Sequence, residues 1–275
     1  ERREAAIAAG VGEVELDWME CVGLGKACER ARGAGVAVTL ATTRVGKPGE
    51  QALVERILKL EPDGVLVRHF GALMRCLAAR EAGARFALHG DFSLNASNSL
   101  TTRHLLGLGL ASLTASFDLD EQQLLAMLQH VEPSRVAIVA HHRIPTFHTE
   151  HCVYAHLLSN GRDFRSCGRP CERHRVALRD HTGGEQAGVV DVGWRNAGVH
   201  DGAQQSAAWT RRLLELGVRR YRVEFVRETA AEVATVLGAW RELLAGRTTP
   251  DEVARRTGAS GQIGVAQGGM KLLIE

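Results

Sequence analysis

In the stretch Phe86-Ala87-Leu88-His89-Gly90-Asp91 a short β-rich run, Phe86 to Leu88, is followed by the polar Asp91, and the same pattern recurs through the first half of the chain. Further β-rich runs fall at Val14 to Trp18, Val36 to Leu40, Val65 to Val67, Leu113 to Ala115 and Val136 to Ala140, each short enough to be a buried strand. Between them, Gly25 to Arg32, Glu50 to Leu60, Leu73 to Ala82 and Leu119 to His130 carry apolar residues at helical spacing. Asp118 and Glu121 form a candidate capping box for the last of these helices. Such alternation implies parallel strands. Polar residues follow the strands at Asp17, Thr42, Arg68, Asp91 and His141, where the active-site loops of a barrel begin. The expected fold class is α/β, a (β/α) barrel of the TIM type that is incomplete at its N-terminus. An open flavodoxin-like sheet is the alternative. No glycine fingerprint follows the first strand, which disfavours a Rossmann fold.

The alternation breaks between Ile144 and Asn196, where histidines, cysteines, arginines and glycines crowd a segment too long for an ordinary connection. We read residues 145–200 as a Cys/His-rich insertion within one barrel-like domain that spans 1–275. Beyond it, Ala203 to Leu216 reads as a helix, Arg220 to Val226 as an alternating strand and Ala230 to Leu244 as a helix. Alternation on that strand places Arg222 and Glu224 on one face and Val223 with Phe225 on the other, so the charged pair either lines the barrel interior or forms an exposed strand face. Several glycines between Gly258 and Gly269 suggest a final irregular or β segment.

A chain of 275 residues with 45% hydrophobic content can bury a substantial core. Thirty-four basic residues against 32 acidic ones give a charge of +2, too balanced to attract nucleic acid through bulk electrostatics, though a local basic patch stays open. No stretch approaches 18 uninterrupted apolar residues, and Glu1-Arg2-Arg3-Glu4 does not lead into a signal-peptide core. The expectation is a cytoplasmic chain with no membrane partner. A helix at Arg2 to Ala9 and the lack of an initiator methionine suggest that the sequence is part of a longer chain, with the remainder or a partner subunit as a structural companion.

Six cysteines in a chain of this length are too few for a disulfide framework, and their grouping near histidines favours metal or redox chemistry. Cys152, Cys167 and Cys171 are separated by fourteen and then three residues, and Gly168-Arg169-Pro170 makes a short turn between the last two. Thiolates bind soft and borderline metals, and such a turn aims two of them at a common point. Spacing alone leaves zinc and an iron-sulfur cluster both open, beside small buried thiols and a redox disulfide. Seven histidines lie between His141 and His181, and His148 and His151 are the functional candidates among them. Their spacing is not that of a His-Glu-x-x-His helix.

Three stretches carry a resemblance: Gly90-Asp91-Phe92-Ser93-Leu94-Asn95-Ala96-Ser97-Asn98, Phe147 to Cys152, and Asp163-Phe164-Arg165-Ser166-Cys167-Gly168-Arg169-Pro170-Cys171-Glu172. Together with Leu178-Arg179-Asp180 and Gly193-Trp194-Arg195-Asn196 they resemble the collagenase-like peptidase family, "U thirty-two", and in particular the later part of its long members. The resemblance implies a barrel-like fold. In the better understood branches it also implies a four-iron four-sulfur cluster, held by four cysteines, that supports oxygen-independent hydroxylation of RNA bases or of a quinone precursor. Cys152, Cys167 and Cys171 match three of the cluster cysteines. Trp194 stands where the fourth is expected, and an indole has no lone pair for a metal. Cys21 and Cys28 are the available substitutes, with Cys28 preferred because some branches take a ligand from an early strand-to-helix region. Cys76 lies on an apolar helical face and reads as core.

Asp91 and Asn95 follow the fourth strand, where side chains converge on a substrate in a barrel, although an Asx-type turn would also explain Asn95. Arg179 with Asp180, and Arg195 with Asn196, are charged forks suited to a carboxylate or phosphate, or to a structural salt bridge. The candidate catalytic residues are therefore Asp91, Asn95, His148, His151 and Arg179. The candidate cofactor and metal ligands are Cys152, Cys167, Cys171 and Cys28. The leading expectation is an iron-sulfur protein that supports hydroxylation of an RNA base or small aromatic substrate. The alternatives are a peptidase, for which no Gly-x-Ser-x-Gly elbow is present, and a non-catalytic scaffold that has lost its cluster. Zinc or no metal are the corresponding alternatives for the cofactor.

Overall fold

The computed structural model describes residues 1–17, 23–163, 165–179, 185–190 and 195–260. These fall into two compact units. One comprises Glu1–Asp17, Gly23–His142 and the stretch from Gln204 onward, and the other comprises Arg143–Ala203. The stretch read as a Cys/His-rich insertion, residues 145–200, lies within the second of these units.

The first unit begins with α1 (Arg2–Ala8), β1 (Glu13–Leu16), α2 (Leu24–Gly33), β2 (Ala37–Ala41), α3 (Gln51–Leu58) and β3 (Gly64–Val67). It continues with α4 (Phe70–Glu81), β4 (Ala87–Gly90), α5 (Ser99–Gly107), β5 (Ser112–Thr114), α6 (Glu121–Leu128) and β6 (Val136–His142). The second unit holds β7 (Pro145–Thr149), α7 (Val153–Leu158), β8 (Ala177–Arg179), β9 (Glu185–Val190) and β10 (Asn196–Val199). The chain then returns to the first unit with β11 (Gln204–Gln205), α8 (Thr210–Glu215), β12 (Arg220–Val223), α9 (Ala230–Leu244) and α10 (Pro250–Thr257).

Strands β1 to β6 pair in sequence order, all parallel, and β12 pairs β6 in parallel. Helical crossovers between sequential parallel strands produce this order. The sheet curls into a half-barrel, so that side chains of its first and last parallel strands meet. Arg220 Nη2 lies 3.0 Å from Glu13 Oε2, and Arg222 Nε lies 3.6 Å from Glu15 Oε2. This is the α/β class expected from the alternation.

Strand periodicity of two explains which residues face inward. On β1, Glu13 and Glu15 point to the concave face, while Val14 and Leu16 are buried in the core on the other side. Thr39 Oγ1 donates to Glu13 Oε1 at 2.7 Å, and His89 Nδ1 lies 2.7 Å from Ser112 Oγ, which continues the polar face across β2, β4 and β5. The convex face is apolar. Leu124, Leu125 and Leu128 of α6 pack with Val136 and Ile138 of β6 and Leu213 of α8, while Val236, Ala239 and Trp240 of α9 pack with Ala140 and Val253. Each such leucine contributes roughly 1.5–3 kcal/mol through burial.

Local readings need correction at four places. Helix α6 is capped by Asp120, which accepts from Gln123 N in a capping box, and not by Asp118, which bonds Ser116 Oγ at 3.0 Å. Ala203 to Leu216 is not one helix: Gln204–Gln205 pairs antiparallel with His141 and His142, a 3-10 turn follows at Ala207–Trp209, and only Thr210–Glu215 is α-helical. Helices α5 and α10 were not anticipated, nor was the antiparallel sheet of the second unit, ordered β7-β10-β9-β8. Gly258 takes φ +64° as the C-cap of α10, and the rest of the Gly258 to Gly269 segment lies outside the described residues beyond Ser260. No helix among the described residues is long and apolar enough to cross a membrane.

Candidate functional site

The C-terminal ends of the parallel strands in the first unit carry an ionic centre built on Asp91. This residue directly follows β4 and has no exposed surface. Its Oδ2 accepts from Arg68 Nε at 3.0 Å, and its Oδ1 accepts from Arg222 Nη2 at 2.7 Å and from Phe92 N at 2.9 Å. Arg68, which follows β3, also meets Asp17 at 2.8 Å. Arg222 on β12 donates to Thr114 Oγ1 at 3.1 Å and pairs with Glu224 at 2.6 Å. Burial alone would raise the Asp91 carboxyl, but the guanidiniums of Arg222 and then Arg68 outweigh it and hold it at about 2. Asp91 is therefore a permanent anion that locks two cations in place. Asp17, Thr42, Arg68 and Asp91, all picked from the sequence as strand-end residues, meet here, since Thr42 Oγ1 accepts from Arg68 N at 3.1 Å.

Glu15 is the group at this centre able to change protonation near neutrality. Burial pushes its carboxyl up to about 7, and the neighbouring carboxylates of Asp91, Glu224 and Glu13 push the same way against the pull of Arg222. Sequence reasoning passed over Glu15. Its signal was the Glu-Val-Glu-Leu alternation of β1, which puts two carboxylates on the concave face.

An aromatic row flanks the ionic centre. Arg44, in the loop after β2, sits over the Phe92 ring with its guanidinium carbon 4.8 Å from the centroid. Phe92 meets Phe117 at 4.3 Å and 46°, and Phe117 meets His142 at 5.3 Å. Burial lowers the pKa of His142. Asn95 lies beyond this row. It is exposed, adopts the left-handed conformation at φ +58°, and closes the short 3-10 turn after Asp91. That is the turn-forming role open to an asparagine there. Asn98 caps α5 by accepting from Thr101 N at 2.9 Å.

In the second unit, the structure gathers Cys152, Cys167 and Cys171. Cys152 and Cys167 are buried with Tyr154 and Ala155, and Cys171, Val176 and Val190 pack against them. Three local devices set this up. Gly161 presses on the Cys167 backbone so closely that a Cβ there would lie 2.4 Å from Cys167 Cα. Asp163 Oδ1 accepts from Arg165 N, Ser166 N and Ser166 Oγ and shapes the turn into Cys167, and the Ser166 hydroxyl bond leads the effects that lower its pKa. Gly168 and Arg169 both take positive φ, +66° and +51°, which turns the chain back toward Pro170 and Cys171. Tyr154 ties the unit together, donating its hydroxyl to Gly188 O and accepting from Val176 N, both at 3.1 Å.

Asn196 orients Cys152. Its Oδ1 accepts from Val153 N at 2.8 Å, and its Nδ2 points at Cys152 Sγ at 3.8 Å. Arg195, with no exposed surface, donates from Nε to Glu150 Oε1 at 2.8 Å, so that fork is a structural ion pair. His148 lies on β7 opposite Ala197. His151 is exposed and meets the His156 ring edge-on at 5.0 Å. Arg179 ends β8 opposite Glu185. Cys28 belongs to the first unit, on the buried face of α2 with Leu24, Ala27 and Ala31. Burial pushes the thiols of Cys28 and Cys76 up, the latter to about 12. Cys21, Asp180 and Trp194 lie outside the described residues. Among the described residues, no group of three or more His, Cys, Asp or Glu side chains is arranged around one point to hold a metal ion. No known family model matches the chain, and no curated protein matches it in sequence.

Proposed function

We propose that this chain is an iron-sulfur protein of the collagenase-like peptidase type, which supports oxygen-independent hydroxylation of an RNA base or a small aromatic substrate. In this reading the half-barrel is part of a (β/α) barrel whose strand ends receive the substrate. The observation that carries the reading is the convergence of Cys152, Cys167 and Cys171 on one apolar nest. The donor set fits a cluster in kind. Sulfur ligands surrounded by Tyr154, Ala155, Val176 and Val190 are shielded from water, and the Asn196 amide is placed to donate to a ligating Cys152 thiolate. The fit covers three of the four ligands, and the thiols must still turn toward a common point to hold iron. Cys28, the fourth-ligand candidate from the sequence, is packed as a core thiol, so the proposal rests on the other three.

When bound, the cluster supplies one-electron chemistry. The chain's own contribution is separate: Gly161, the Asp163 turn and Asn196 hold the thiols in position, and the Asp91 centre provides a rigid charged floor at the strand ends. Iron and acid-labile sulfide, together with an ultraviolet-visible spectrum, should be measured on protein purified without oxygen. A cluster is expected in the wild type and in Cys76→Ser, and is expected to be lost in Cys167→Ser and Cys171→Ser. Equal iron in all four proteins, or no iron in any after anaerobic reconstitution, overturns the reading.

A further inference from the structure

Arginines at the strand ends of the half-barrel fall into two kinds. Arg68 and Arg222 are each held by two or more carboxylates. Arg44 has no carboxylate at ion-pair distance among the described residues. Its guanidinium lies over the Phe92 ring, and Asp91, Glu224 and Asp17 attract it only from a distance. Burial and the nearby Arg68 guanidinium lower its pKa, so its charge is both desolvated and unmatched. A half-buried guanidinium with no acceptor on its N–H edges is unfavourable unless something else supplies one. The loop that carries it is held down by close contact, since a Cβ on Gly46 would lie 2.4 Å from the His69 ring.

We propose that Arg44, Phe92 and Phe117 form a nucleotide subsite, in which the N–H groups of Arg44 bind the phosphate and the two partly exposed rings receive the base. A guanidinium presents paired N–H donors that match a phosphate bidentately. Its guanidinium carbon lies over the Phe92 ring, and its N–H groups are left for the anion. Phe117 continues the row beside Phe92, tilted by 46°, with the buried His142 ring behind it at 5.3 Å, and partly exposed aromatic rings of this kind are where unstacked bases lie. The ionic centre beside it does not compete, because Asp91 together with Asp17 and Glu224 already pairs with Arg68 and Arg222. This deepens the reading above by placing its substrate, and it rests on that reading for the reaction only.

The test is calorimetric binding to the full chain of cytidine and adenosine 5′-monophosphates, the matching nucleosides, inorganic phosphate and a single-stranded RNA hexamer. The nucleotides should bind more tightly than either the nucleosides or phosphate. Arg44→Ala should weaken them by about ten- to a hundredfold, and Phe117→Leu should weaken nucleotide binding while leaving phosphate binding unchanged. Circular dichroism on each variant verifies folding, and Arg44→Lys should keep part of the affinity. A hexamer that binds far more tightly than the mononucleotides identifies an RNA strand as the source, and equal affinity identifies a free nucleotide; either supports the subsite. Unchanged affinity in both Arg44→Ala and Phe117→Leu, nucleotides no tighter than phosphate, or no binding at all overturns it. Iron content measured on the same samples keeps the two proposals apart: Cys167→Ser should lose iron and still bind nucleotide.

Discussion

Glu15 and Asp91 show how two carboxyls on one concave face acquire opposite character. Asp91 takes hydrogen bonds from two guanidiniums and one backbone amide, so the charged form is held at about 2 although burial opposes it. Glu15 faces Arg222 at 3.6 Å without a hydrogen bond from its Nε, so burial prevails and the carboxyl rises to about 7. The folded state therefore binds the Glu15 proton more tightly than the unfolded chain, whose carboxyl titrates near its ordinary value of 4.5. Its contribution to stability is fully present below that ordinary value and is lost as pH rises toward about 7. Glu15→Gln keeps the shape and removes the titration. Urea midpoints of the variant and the wild type should coincide near pH 4.5 and diverge in favour of the variant up to pH 8. A difference that does not change with pH would rule this assignment out.

At the scale of elements, the strands were readable because each is a short apolar or alternating run bounded by turn residues, and β1 to β6 and β12 all lie within the expected segments to within a few residues. Helix boundaries were less so. Asp118 and Asp120 both precede α6, and only the geometry shows that Asp120 takes the cap. Asp120→Ala should cost about 1 kcal/mol in chemical denaturation. Asp118→Ala, which removes only the contact with Ser116, should cost clearly less, and the reverse order would contradict the assignment. Helix α5 escaped notice because Leu100 is exposed and the apolar stripe is correspondingly weak. Gln204–Gln205 was read as helix because local propensity cannot register that the end of β6 offers an open strand edge at His141 and His142.

At the scale of the molecule, the second unit leaves the first after His142 and returns at Gln204, and those two residues are direct partners in the β11–β6 pairing. Residues opposite each other in an antiparallel pair have Cα atoms only about 5 Å apart. Replacing residues 143–203 by a short glycine-serine linker should therefore leave the half-barrel folded, with one cooperative thermal transition by circular dichroism. It should also remove every iron-binding thiol of the proposed set. A chain that shows no cooperative transition would mean that the half-barrel depends on the excised unit.

The sequence by itself determined the α/β class, the approximate positions of the parallel strands and the identity of several strand-end residues, because these follow from local periodicity and from where each strand stops. Asp17, Thr42, Arg68 and Asp91 could be named in advance, and so could the shared face of Arg222 and Glu224, which the structure turns inward. It also singled out Cys152, Cys167 and Cys171 by their spacing and by the turn between the last two. Only the tertiary structure decided that Cys28 packs in the core of the first unit while the other three thiols share a nest in the second. It also decided that Arg44 lies over Phe92 without a carboxylate at ion-pair distance among the described residues, and that the Glu15 carboxyl is raised toward neutrality. The physical reason is that burial, charge pairing and ring contact depend on distances between residues far apart in the chain, as between Glu15 and Arg222. The periodicity of a single strand or helix carries no record of those distances.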